Sequence, residues 1–318
     1  MVPSFDRESG ISKIVNASPE DETRLLKHFA EKLKNQEFQQ YEREKTPAER
    51  EIIETALHHF PEFIKGYGGI PVKDISTETI HLVDRGKLTP KQVAELDAGG
   101  WYIFHLQQAV VLPHHASLLK TAEGIVHELM HSESFTSLAA GAPESTAVPP
   151  ITVEETPLYP RRIGLSVFDK SQTKRFFRDL DEAVIEELTI RFDRQFFSAI
   201  PALKDELASR ESFKQELEND HDEISGAVPR QLDDGTWQTI AYGYAYKKAR
   251  HELRSLIQKI VSRNPEKFAS EDEVFRIFAK GVLTGRLKEL AKIIEETFGK
   301  GSFRKLGQKT GFQEEFPS

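Results

Sequence analysis

The sequence predicts an α+β fold, and three observations carry that expectation. Apolar residues recur at helical spacing towards both ends of the 318-residue chain. Between them lie short runs rich in β-branched and aromatic residues, bounded by Gly and Pro as strands are. Among those runs sits one apolar helical stretch, Gly124-Ile125-Val126-His127-Glu128-Leu129-Met130-His131.

Taken in order, Ser18-Pro19-Glu20-Asp21 starts a helix striped by Leu25, Leu26, Phe29 and Leu33. Thr46-Pro47-Ala48-Glu49 starts a second, through Ile52, Ile53, Ala56, Leu57 and Phe60 to Gly66. Residues 79–83 read as a strand and 89–93 as the opening of a short helix. Residues 99–104 and 109–113 form a hairpin, and 117–134 is the helix with the paired histidines. Five prolines, at 143, 149, 150, 157 and 160, make 136–160 read as a structureless connection, either a flap near the site or a plain surface excursion.

Residues 161–168 are another strand candidate. Residues 179–197 follow as a long helix with Leu180, Val184, Leu188 and Phe192 on one stripe. The remainder reads as helical over 202–219, 242–263, 271–281 and 283–299, broken by the turn-rich Asp233-Asp234-Gly235-Thr236-Trp237. A small, mostly antiparallel sheet is thus expected on the histidine-bearing helix. Residues 1–69 form an amino-terminal helical segment, 70–200 the central subdomain and 201–318 a helical carboxy-terminal subdomain.

Composition narrows the function classes. A formal net charge of −8 argues against nucleic-acid binding, which needs a basic face. No stretch approaches the roughly 20 apolar residues of a membrane span, and no basic segment followed by an apolar core opens the chain. A cytoplasmic protein is the expectation. With no cysteine, disulfides, thiolate metal sites and cysteine nucleophiles are all excluded, so any metal must be held by His and carboxylates.

His127 and His131 are i and i+4 on one helix face, which lets both imidazoles reach one metal ion. Glu128 stands beside the first of them, where a carboxylate takes a proton from activated water. A hydrolytic zinc site needs a third protein ligand and an open position. Ser134 and Ser137 stand where HExxHxxGxxH requires Gly and His, so that arrangement is absent. Glu182 and Glu186, one turn apart in Asp181-Glu182-Ala183-Val184-Ile185-Glu186, supply the alternative: Glu182 as ligand, Glu186 accepting the second N–H of a ligand histidine. The competing reading of these acids is a solvated helix face.

Together the two motifs resemble the gluzincin metallopeptidases, the thermolysin-like group whose signature is HExxH followed by a Glu-xxx-Asp/Glu helix, and most of all its compact, minigluzincin-like members. The resemblance spans roughly residues 70–200. It departs in having Glu rather than Asp at 186 and Asp181 in place of an Asn. It implies a zincin-like fold, one Zn2+ ion, a peptide or protein substrate and peptide-bond hydrolysis with Glu128 as general base. It also directs attention to Tyr242, Tyr244 and Tyr246 for a donor to the developing oxyanion. Tyr246 is the first choice, against a role in aromatic packing. The strand at 109–112 is expected at the sheet edge, binding substrate backbone. His114 and His115 either line the cleft or sit in a surface turn. The competing function is a latent or inactive zinc-binding pseudo-peptidase acting as an interaction protein.

Overall fold

The computed structural model describes residues 7–33, 39–90, 100–141, 150–217, 221–231 and 235–308. Helices α1 (Pro19–Lys32) and α2 (Pro47–Gly66) begin at the predicted caps. The Ser18 hydroxyl accepts the Asp21 N–H, and Thr46 and Glu49 form a reciprocal capping box. Ahead of them, strand β1 (Ile11–Val15) is an element that the helical reading of this end did not contain. The helix expected at 89–93 falls largely on 91–99, outside the described residues.

The class is α+β, with three small sheets rather than one. Strands β2 (Ile80–Leu82), β3 (Gly100–Ile103) and β4 (Gln108–Val111) form the first, in the order β2-β4-β3. Because β4 pairs with β2 on one side and β3 on the other, residues 109–112 are not an edge. That expectation is corrected: among the described residues the edge strands of this sheet are β2 and β3. The all-buried Gln108–Val111 is what a central strand requires.

The second sheet corrects the structureless reading of 136–160 at both of its ends, while 142–149 lie outside the described residues. Strands β5 (Thr136–Ala140), β6 (Ile151–Val153) and β7 (Thr156–Ile163) pair antiparallel, β1 adds to β5 in parallel, and β8 (Ser166–Phe168) and β9 (Arg175–Phe176) complete it. Pro160 is tolerated because it stands opposite the register shift between Ser137 and Leu138. The strand expected at 161–168 is divided into β7 and β8 by a tight turn in which Gly164 has φ +56°.

Helix α3 (Leu118–Glu133) carries both histidines. Its inner face, Leu119, Ala122, Ile125, Val126, Leu129 and Met130, is essentially sealed from solvent. It packs on β3 and β4 and crosses α4 (Arg178–Phe196), the helix of Glu182. Next come α5 (Lys204–Gln215), the hairpin β10 (Ile224–Gln231) and β11 (Trp237–Gly243), then α6 (Lys247–Arg263), α7 (Glu271–Thr284), α8 (Leu287–Phe298) and α9 (Ser302–Gln308). The helix expected from residue 242 is therefore corrected to a strand through Gly243 and a helix from Lys247. One core cluster takes Ile52 from the first of the three predicted segments, Val126 from the second and Phe278 from the third. Among the described residues no helix is long and apolar enough to cross a membrane.

The start of α3 is fastened from α5. The Glu206 carboxylate accepts the Ser117 hydroxyl at 2.6 Å and the backbone N–H groups of Leu118 and Leu119 at 2.8 and 3.1 Å. A carboxylate at three otherwise unsatisfied donors of a helix amino terminus contributes about 2 kcal/mol. Glu206→Ala is expected to lower the melting temperature by about 4 °C in a thermal scan. An unchanged melting temperature would show that the fastening is idle.

Candidate metal centre

His127 and His131 project from one face of α3 and converge. Their rings lie 4.9 Å apart and their Nε2 atoms 3.2 Å apart. Glu182 enters from α4, its Oε2 at 3.3 Å from His131 Nε2 and 3.6 Å from His127 Nε2. One donor atom from each of the three residues lies within 4.8 Å of the others. Glu182 Oε2 is buried and accepts no hydrogen bond. Two imidazole nitrogens and a carboxylate oxygen with no hydrogen-bond partner among the described residues form a donor set that could hold a metal ion.

Glu186 lies one turn after Glu182 and accepts from His127 Nδ1 at 2.7 Å and from the Ala245 N–H at 2.8 Å. The first bond fixes the tautomer: with Nδ1 donating, Nε2 is left with its lone pair towards the centre. Glu187, the next residue, turns away and pairs with Arg191 at 3.1 Å. Asp181 ties the start of α4 to the second sheet by accepting the Leu165 N–H at 2.7 Å and the Ser166 hydroxyl at 3.1 Å.

Glu128 is only 5% exposed and lies under β3. A Cβ on Gly100 would come within 2.8 Å of Glu128 Oε1, so this strand and this carboxylate approach as closely as glycine permits. Burial raises the Glu128 pKa, against the pull of His127 and His131 and a hydrogen bond from the Tyr102 backbone.

The other charges form an ion cluster. Burial alone would lower the pKa of His127, but Glu182 and Glu186 outweigh it and hold this imidazole well above its ordinary value. The His131 pKa is raised in the same way, its desolvation overcome by Glu182. Burial opposes ionisation of Glu182, yet the two imidazoles hold its carboxyl well below the usual carboxylate range.

The three tyrosines part company. Tyr242 meets the His114 ring edge-on at 4.6 Å, and Tyr244 is buried in a hydrogen bond to Asp193. Of the three, Tyr246 reaches the centre, its ring stacked on His127 at 5.7 Å. It does so from a left-handed backbone conformation, φ +52°, which is uncommon outside glycine and concentrates at functional sites. Burial and then the neighbouring carboxylates raise its pKa, so the phenol stays protonated and able to donate. His114 lines the same cleft half-buried, whereas His115 is exposed.

Sequence reasoning missed Arg175, whose Nη2 lies 3.6 Å from Asp181 and 3.8 Å from Glu182 Oε1. It stands on a two-residue strand outside any motif. It also missed Lys120 and Glu123, two turns and one turn before His127 on its own helix, both lining the cleft. Their i, i+4 spacing from Gly124 and His127 was the available signal. No protein-family model, curated protein or solved structure matches the chain.

Proposed function

We propose that the chain is a zinc-dependent peptidase of gluzincin type, built on a zincin-like core. The observation that carries this reading is the convergence of His127 Nε2, His131 Nε2 and the orphaned Glu182 Oε2 beside the buried carboxylate of Glu128. Bound by these three residues, a zinc ion supplies a Lewis acid that lowers the pKa of water and polarises a scissile carbonyl.

The chain's own groups do the rest. The edge of β3 offers backbone groups to an extended peptide, beside the Glu128 carboxylate that packs on Gly100. A Glu128 carboxylate oxygen takes a proton from the attacking water as the water oxygen bonds to the carbonyl carbon. It then delivers that proton to the amine nitrogen as the C–N bond breaks. Its burial moves its pKa towards neutrality, where a base that must also act as an acid works best. The Tyr246 hydroxyl donates to the carbonyl oxygen as charge grows there.

The reading is tested by elemental analysis and by digestion of a mixed peptide library. One zinc per chain and cleavage abolished by a chelator are expected. Zinc without cleavage of any peptide would instead support the zinc-binding pseudo-peptidase, and absence of zinc would overturn both. Tyr246→Phe keeps the ring stacked on His127 and removes the donor. It is expected to lower kcat about 100-fold with KM and zinc content unchanged. Unaltered steady-state kinetics would remove Tyr246 from the mechanism.

A further inference from the structure

The cleft beside His127 has a polar wall that hydrolysis does not use. Glu123 stands one turn before His127 on α3 and is 4% exposed, yet its Oε1 has no hydrogen-bond partner. Its other oxygen is bonded to Lys120. An ammonium has three protons to give, and those of Lys120 go to Glu123 Oε2, to Ser225 Oγ at 3.2 Å and to the Gly243 carbonyl at 3.1 Å. Lys120 therefore has nothing left for Oε1.

The local charge is also unbalanced. Three carboxylates, Glu123, Glu128 and Glu186, line the cleft; Glu186 is bonded to His127, and Lys120 is the cation bonded to Glu123. Burial, with Glu186 and Asp193 pressing from nearby, raises the Glu123 carboxyl to about 8 against the pull of Lys120. One more cation at this place would complete the compensation that the fold leaves unfinished. The space beside it is about 130 Å³, and Val111 and Leu112 supply an apolar flank suited to a methylene stem.

We propose that this cleft is a specificity pocket for a basic side chain, lysine or arginine, of a residue flanking the scissile bond, with Glu123 Oε1 as its acceptor. The inference rests on the peptidase reading and names the substrate class for that same site.

Its test uses the zinc-loaded full chain and peptide pairs identical except for lysine or norleucine, placed in turn on each side of the cleaved bond. A charge-assisted hydrogen bond to a buried carboxylate predicts kcat/KM at least about 10-fold higher for lysine at one of the two positions. Glu123→Gln is expected to bring that ratio to about one, whatever it does to cleavage overall. Equal cleavage of the paired peptides by the unmodified chain overturns the inference and leaves the peptidase reading standing. A second arm measures binding of the same pairs to zinc-loaded Glu128→Gln by calorimetry. Tighter binding of the lysine peptide without turnover by the unmodified chain supports the pocket while sinking the peptidase. Equal binding sinks the pocket on its own. If Glu123→Gln does not fold, the ratio in the unmodified chain decides.

Discussion

Glu128→Gln is expected to abolish peptide hydrolysis while leaving one metal ion bound per chain. The substitution keeps the shape of the side chain where shape is critical, because Gly100 leaves Glu128 Oε1 no spare room. The amide oxygen of glutamine can still accept the Tyr102 N–H that the carboxylate accepts now. The metal donors, His127, His131 and Glu182, are untouched. What is lost is the one group positioned to take a proton from water and return it to the leaving amine. General acid–base groups contribute about 10²–10⁴-fold, and this carboxylate serves in both directions, so a fall in kcat of at least about 1,000-fold is expected. That corresponds to about 4 kcal/mol of barrier. Cleavage by the variant at the unmodified rate, with metal content equal, would overturn the mechanism.

The parts of this site that were legible in the sequence are those that depend on spacing along one helix. His127 and His131 face one point because residues four apart on a helix must. Glu182 and Glu186 fall on one face for the same reason, one with an oxygen near both imidazoles and one bonded to His127. Helix starts were equally local, since Ser18, Thr46 and Ser117 each cap within three residues.

What escaped depends on pairing between distant segments. Residues 109–112 look like any short apolar strand until β2 is seen to pair with them, and that pairing leaves β3 rather than β4 as the edge strand beside Glu128. The prolines of 136–160 suggested a loop because proline removes a donor from a ladder. Pro160 sits where the β5–β7 register is already broken, so the ladder loses little. Between the strands of the hairpin at 224–243 the sequence carries the turn signal Asp233-Asp234-Gly235, of which 233 and 234 lie outside the described residues. Its outer strand is half-exposed and unstriped, and so lacked the alternation that would have outweighed a helical reading. Arg175 had no sequence signal, since its position follows from the two-residue strand that brings it to α4.

The stabilisation that zinc confers is expected to grow steeply as pH rises, and the ion cluster of the metal-free site sets its sign. The pKa values of His127 and His131 are raised in the folded chain. Their contribution to metal-free stability is full below their ordinary value of 6.5 and is lost as pH rises through the folded values. Glu182 is shifted the other way, so its contribution is present above 4.5 and is lost as pH falls through its folded value. The metal-free site is thus best held together between 4.5 and 6.5, with both imidazoles protonated against one carboxylate. A metal ion takes the same two nitrogens only after their protons leave. While both are protonated, each unit of pH costs up to two protons' worth of affinity, about 100-fold. Other buried acids titrate in this range, Asp181 at about 6 and Glu133 at about 7. They are present with and without metal, so subtracting the melting temperature of chelator-treated protein from that of zinc-loaded protein largely removes them. That difference should be small at pH 5.5 and largest at pH 8, where zinc at 1,000 times its dissociation constant stabilises by about 4.1 kcal/mol. Glu182→Ala should nearly abolish it at every pH, because the donor set loses its carboxylate and only the two imidazoles are left to hold the ion. A pH-independent difference in the unmodified protein would mean that zinc binds somewhere other than at His127 and His131.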